Sequence, residues 1–477
     1  MHPQDMLHGP AHARCVIVNP VLGPETIAGS SRMKGGSATK IVLETLCALG
    51  MKLAFEGGVS GAPADLAATV RRCYLQYECT VRAVYSDPAA TGGMVALITK
   101  AGAALNTPSP PLPPPAPPAR FVSSTSRGRV LYVGVGAAGL LGLIDASECT
   151  PTYGSLFNDV RGFVAGGWAA LRNKQGAVAL AMPAHLRGDG GAGPPEEVAL
   201  GLDGFTRDFA PTLSPADFVV ALYVGEAGSA DEVAEAAAAL LDVAAALRLA
   251  VAAGAAVAHA LVLPVSPSPP PAITAALAVI KDLAPDGVAL ALPRLALELE
   301  ERGPAGTGEG AAVSAPPAVL GELALKLLLN ATTTGAHILS GAIYTNRMVR
   351  VMLTNAKLFH RAVGIVADVT AAPHEAALAA VLRAIYRRDA AGDVGPHGAP
   401  GGGATLAALA TAPVSRHVAA ASTQKDVVPL AIMLALAAGA EPPLTVAGAQ
   451  ALLSAEPVVR RAITAALEIK SARDGGE

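Results

Sequence analysis

Gly29-Ser30-Ser31-Arg32-Met33-Lys34-Gly35-Gly36-Ser37-Ala38-Thr39-Lys40, directly downstream of the apolar run Cys15-Val16-Ile17-Val18 and the turn Asn19-Pro20, is the stretch on which the fold reading turns. A short β run, a Gly/Pro loop and then paired hydroxyls ahead of a helix form an anion-binding pattern. The first turn of a helix leaves backbone N–H groups without partners, and they favour negative charge. Gly35 and Gly36 allow close backbone approach, and Ile41, Val42, Leu46 and Leu49 give the following helix an apolar face. From these residues alone, Ser30 and Ser31 read equally well as a helix N-cap or as ligands of a phosphate. Arg32 and Lys34 add positive charge beside them.

Outward from this stretch, strands and helices alternate. Strands are expected at 129–133, 218–224, 260–263 and 288–292. Helices are expected at 63–85, 94–105, 140–146 and 230–249, the last with Ser229 as N-cap and Asp231 and Glu232 in its first turn. The alternation predicts an α/β fold with a doubly wound parallel sheet, and beyond about Gly341 helices dominate as an all-helical cap. The expected order is 1–50, the end of a first α/β domain; 51–119, a helical connector with a Pro-rich linker; 120–342, a second α/β domain with low-complexity inserts; and 343–477, a helical lid. The proline-dominated run 107–118 reads as a polyproline-like spacer. Gly/Pro-rich breaks at 187–195, 264–271, 303–317 and 392–403 read as loops.

Composition narrows the function classes. With 52% hydrophobic and 15% charged residues in 477, the chain is globular, and its cores draw on Ala, Val and Leu because aromatics are only 4%. A net charge of −3 supplies no basic field for nucleic acid, and no polybasic run addresses an anionic membrane. Five scattered cysteines without metal-ligand spacing read as reduced thiols, and the start Met1-His2-Pro3-Gln4-Asp5 lacks a secretory pattern, so cytoplasm or nucleus is the expected location. The histidines show no paired spacing, and His337 and His360 lie on apolar helical stretches as core or interface residues. No metal, cofactor or catalytic residue is assigned. Gly134-x-Gly136-x-x-Gly139 follows a strand and opens a helix, as a dinucleotide fingerprint does, but no second strand ending in an acidic residue is legible about 20 positions on. Its glycines read as helix–sheet packing.

The quoted run, preceded by Asn19-Pro20-Val21-Leu22-Gly23-Pro24-Glu25, resembles the sugar isomerase (SIS) family in the version shared by glucokinase regulatory proteins and N-acetylmuramic acid 6-phosphate etherases. The likeness continues at Ile144-Asp145-Ala146-Ser147-Glu148-Cys149, Asn158-Asp159-Val160-Arg161-Gly162-Phe163, Thr334-Gly335-Ala336-His337, Asn355-Ala356-Lys357-Leu358-Phe359 and Ala412-Pro413-Val414-Ser415-Arg416-His417-Val418. By that resemblance Ser30 and Ser31 contact the phosphate of a bound sugar phosphate, Lys357 reaches it from the lid, and Glu148 approaches the sugar from the second SIS domain. The implied ligand is fructose 6-phosphate or fructose 1-phosphate, and the implied partner is a glucokinase-like kinase inhibited in a ligand-dependent way. The family's partner-facing segment falls at 292–298, here without an aromatic residue. In that family a complete first SIS domain stands ahead of this region, and by the resemblance this chain is expected to lack most of it. The alternative activities are an etherase-like lyase on a 6-phosphosugar, whose acid/base carboxylates lie by the resemblance in the first domain, with Glu25 and Glu44 poor substitutes placed by a turn and by a helix, or a non-functional SIS fragment.

Overall fold

The computed structural model describes residues 18, 20, 22–55, 63–108, 127–167, 200–225, 229–263, 269–292, 317–389, 405–422, 424–440, 444–456 and 458–474. The chain opens with three helices, α1 (Lys34–Phe55), α2 (Pro63–Ser86) and α3 (Pro88–Asn106). The sheet domain follows: β1 (Val130–Gly134), α4 (Gly136–Tyr153), β2 (Val160–Val164), β3 (Phe218–Val224), α5 (Ala230–Ala252), β4 (Ala256–Leu263), α6 (Pro271–Leu283), β5 (Gly287–Ala291) and α7 (Pro317–Leu339). All five strands are parallel in the order β2-β1-β3-β4-β5, with Val130 in register with Val160 on one side and Phe218 on the other. This is a doubly wound α/β sheet.

Every residue of β1, β2 and β3 is buried, because helices cover both faces. The two-residue period splits β1 between two cores. Val130 and Tyr132 pack with α3, α4, α7 and the C-terminal helices, whereas Leu131 and Val133 pack with α5 and α6. Ser229 and Glu232 form a reciprocal capping box that starts α5. The fingerprint glycines serve packing: a Cβ on Gly139 would sit 2.8 Å from the Gly134 oxygen and 3.1 Å from Cα of Val164. Only an absent side chain lets α4 lie that close to β1 and β2.

Two elements differ from the sequence expectation. β2 is a full strand although its sequence, Val-Arg-Gly-Phe-Val, carries a charge. Arg161 is buried because its guanidinium lies over the rings of Phe157, Phe163 and Phe209 and donates to Asn158 at 2.9 Å. Past Gly341 a short antiparallel pair, β6 (Ile343–Tyr344) and β7 (Arg347–Met348), precedes the helices. The expected strand at 15–18, apart from residue 18, and most of the Gly/Pro-rich runs lie outside the described residues.

The C-terminal region is helical: α8 (Ala356–Thr370), α9 (His374–Tyr386), α10 (Leu406–Ala410), α11 (Val414–Ala421), α12 (Val427–Leu436), α13 (Val446–Ala455) and α14 (Val459–Asp474). It shares one continuous apolar core with α7 and the sheet. Among the described residues no single helix is long and apolar enough to cross a membrane.

Candidate functional site

The loop of residues 25–33, called the 30-loop below, packs between the sheet domain and the lid. Ala28 N–H donates to Asn346 O at 2.8 Å, which joins the loop to the β6–β7 turn. Gly29 has φ +90, and a Cβ there would lie 2.5 Å from the Arg361 guanidinium, which donates to Gly29 O at 3.0 Å. The left-handed φ favours glycine here, and a side chain at position 29 would displace the Arg361 guanidinium from its contact with the loop.

Ser30 is buried, its N–H donates to Ile27 O at 3.1 Å, and its Oγ is buried without a hydrogen-bond partner among the described residues. An orphan buried hydroxyl is costly and marks either a missing ligand or a missing water. Ser31 is exposed.

The expected anion site at the start of α1 differs in its details. The N–H groups of Lys34 and Gly35 donate to the Glu25 carboxylate at 3.0 and 2.7 Å, so the chain's own carboxylate caps α1 and satisfies its dipole. The donors left for a ligand are side chains rather than the helix N-terminus.

Arg32 fastens the loop to the sheet domain. Its guanidinium is buried, lies 3.3 Å from Asp145 Oδ1 and 3.5 Å from Glu148 Oε2, donates to Thr333 Oγ1 and, at 3.3 Å, to Thr334 Oγ1, and sits 5.3 Å from the Tyr153 ring centre. Its Nε has no partner among the described residues. Asp145 is the hub: it also accepts from Asn330 at 2.8 Å, Thr333 at 3.2 Å and Tyr132 at 3.3 Å. Glu148 is half-exposed, and burial raises its carboxyl above the usual range against the opposing effect of Arg32. Lys326 on α7 donates to Arg32 O at 3.0 Å and Ser37 Oγ at 3.1 Å, and burial lowers its ammonium.

Of the four expected site residues, three fall into this assembly: Ser30 and Ser31 in the 30-loop and Glu148 beside Arg32. Lys357 stands exposed in the first turn of α8, whose N-cap Asn355 accepts from Leu358 N at 3.0 Å. It reaches the region through Arg361, one helical turn further along the same face. Arg361, Asp145 and Lys326 escape sequence reading, since each acts across more than 100 residues of chain. Gly29, the glycine that admits Arg361, is the one local signal.

His337 is buried, donates from Nδ1 to Thr333 O at 2.6 Å, accepts from Ser155 at Nε2 at 2.5 Å and stacks on Tyr153 at 4.2 Å. Burial pushes its pKa to about 3, so it is a neutral core residue. His360 is exposed, not core. No group of three or more potential metal ligands occurs among the described residues.

The α/β sheet and the helical region that packs over the 30-loop fall where family models match this chain, and by those matches the chain belongs to the sugar isomerase (SIS) family. Residues 120–266 match the second SIS domain of glucokinase regulatory protein, and residues 345–399 and 401–463 match the C-terminal lid domain of glucokinase regulatory protein, together more than half of the chain. It is 26% identical to glucokinase regulatory protein of Xenopus laevis over 462 residues, which is 97% of this chain and 60% of that protein. The Homo sapiens protein is 26% identical over 454 residues, 95% of this chain and 58% of that one. An N-acetylmuramic acid 6-phosphate etherase of Symbiobacterium thermophilum is 30% identical over 260 residues, 54% of this chain and 66% of the etherase. The chain thus spans about six tenths of the length of the regulatory proteins it matches.

Proposed function

We propose that this protein binds a sugar phosphate, fructose 6-phosphate or fructose 1-phosphate, at the 30-loop, and through it regulates a glucokinase-type kinase. The observation that carries the reading is the convergence of three chain regions on one loop with spare polar capacity. Ser30 Oγ and Arg32 Nε are buried and unpartnered among the described residues, and Glu148 lies beside them. The lid supplies Arg361 at Gly29 and Lys357 one turn away. A phosphate would take the serine hydroxyls and the lid cations, and the Glu148 carboxylate would accept from sugar hydroxyls. A ligand held by loop and lid together binds best where the two are docked, which is the differential affinity that regulation of a partner requires. The similarity to glucokinase regulatory proteins along nearly the whole chain supports the kinase as partner. The expected partner-facing segment lies, beyond residue 292, outside the described residues.

The etherase-like reading has the bacterial relatives in its favour. Against it, the carboxylates around this loop stand in ion pairs or a helix cap rather than as a free acid/base pair. Glu25 caps α1, Asp145 and Glu148 pair with Arg32, and Glu44 is ion-paired with Lys40 and accepts from Tyr77 at 3.2 Å. An acid/base pair needs carboxylates aimed at the sugar.

The test is thermal unfolding of the protein with each fructose phosphate, run beside an assay of glucokinase activity with and without the protein. A ligand-dependent rise in Tm together with ligand-dependent inhibition is expected. A Tm unmoved by either sugar phosphate removes the ligand assignment, and kinase activity unaffected by the protein removes the partner.

A further inference from the structure

At the opposite side of Tyr153's helix end lies a second polar feature. A cavity of about 220 Å³ opens where the N-terminal edge of the sheet meets the lid. Arg127 and Asp159, just ahead of β1 and β2, line it from the sheet, and Arg350, Lys425 and Asp426 line it from the lid. We propose that this cavity is a second anion site, which takes a phosphate-type oxyanion and ties the lid to the sheet independently of the 30-loop.

Charge count comes first. Three cations face two carboxylates, and both carboxylates are already engaged: Asp426 accepts from Arg350 Nε at 3.0 Å, and Asp159 accepts from Leu156 N at 2.7 Å. Lys425 stands exposed at the mouth with no hydrogen bond or ion pair within 4 Å among the described residues. The floor adds no charge, since His337 is neutral and already holds Ser155 and Thr333 O. Among the lining residues the charges sum to one net positive in a partly desolvated space, with Lys425 facing both Asp159 and Asp426. Burial lowers both Arg127 and Lys425, which Asp159 and Asp426 only partly offset, and a bound anion would favour their charged forms further.

Size and backbone agree with this. A single water needs about 10–15 Å³ of such space, so the cavity accommodates a tetrahedral oxyanion with part of its hydration. Asp426 is held at φ 56, a left-handed conformation that is unfavourable for a residue with a side chain and that keeps the 424–426 turn over the opening. The groups come from both sides of the domain boundary, so a bound anion would count as a contact between lid and sheet.

The experiment is a sodium phosphate titration followed by thermal unfolding, with sodium chloride at matched ionic strength as reference. It uses the Ser31→Ala/Lys357→Ala protein, in which the 30-loop is disabled. Phosphate is expected to raise Tm in that background, and adding Lys425→Glu is expected to move the half-effect concentration up by about tenfold or more, with Lys425→Arg restoring it. Lys425→Glu sets a third carboxylate beside Asp159 and Asp426, so its Tm without phosphate is the baseline from which its own half-effect concentration is read. Absence of any phosphate effect in the double variant, or an unchanged half-effect concentration on adding Lys425→Glu, overturns the proposal. Failure of fructose phosphates to bind the wild-type protein would sink the function proposed above and leave this titration untouched.

Discussion

Two buried arginines, each paired with an aspartate, occupy different structural situations. Arg129 is complete: Nε and one terminal nitrogen meet the Asp217 oxygens at 2.9 Å each, and the remaining donors reach Thr212 Oγ1 at 3.0 Å and Thr212 O at 2.8 Å. Asp217 also accepts from its own neighbour Ser214, from N–H at 2.8 Å and from Oγ at 3.2 Å. Arg32 is equally buried but incomplete. Its pairing with Asp145 is shared with Glu148, its Nε is orphaned, and the adjacent Ser30 Oγ is orphaned too. The first pair is a lock inside one domain, while the second leaves capacity at a seam between loop, sheet and lid. Unsatisfied buried polar groups persist where something else is meant to satisfy them.

Removing each arginine is the sharpest way to break that contrast. Arg129→Ala strips the guanidinium from Asp217, which stays buried with only the backbone N–H of residue 129 and Ser214 as donors, and is expected to cost about 3–5 kcal/mol in urea unfolding. Arg32→Ala removes a guanidinium whose pairing is already incomplete, with one orphaned nitrogen and a half-exposed second partner in Glu148, so its cost should be smaller, about 1–3 kcal/mol, with weakened sugar-phosphate binding in addition. Equal costs for the two variants would show that the seam is as finished as the lock.

Next in size is a pH effect at His337. Its folded pKa of about 3 lies below the ordinary value near 6.5, so the unfolded chain binds the extra proton first. Its contribution is fully present above pH 6.5 and declines as pH falls towards 3, by up to about 1.4 kcal/mol per pH unit. Unfolding free energies at pH 7 and pH 5 measure it, and His337→Gln should flatten the decline. A decline that persists in the variant would place its origin elsewhere. The smallest effect is expected at exposed Lys357: Lys357→Ala should change unliganded stability by no more than about 0.5 kcal/mol yet weaken fructose phosphate binding by about 1–3 kcal/mol. A large change in melting with binding intact would make it a structural residue instead.

The lock and the seam also differ in how far they can be read from sequence. Strands 130–134 and 218–224 announce themselves as short apolar runs, and the Ser229/Glu232 box is a local pattern four residues long. β2 does not, because Arg161 is made tolerable by three phenylalanines, two of them distant in sequence or outside its strand. At the seam, the glycines and serines of 29–36 are legible as a loop that approaches something closely. What they approach is not. Glu25 reaches α1 from nine residues upstream, and Arg361 reaches Gly29 across 332 residues. Family resemblance supplied Glu148 and Lys357, but only the folded chain reveals that Asp145, Lys326 and Arg361 hold the arrangement around them.

The most direct test of the central claim is hydrogen exchange of the protein with and without fructose 6-phosphate or fructose 1-phosphate. Protection is expected to rise in residues 25–40 and 355–362, where loop and lid meet, and to stay constant around Arg129 and in 212–220, where every donor is already used. Unchanged exchange at the seam, or protection confined to other parts of the molecule, would contradict the assignment of the 30-loop as the ligand site.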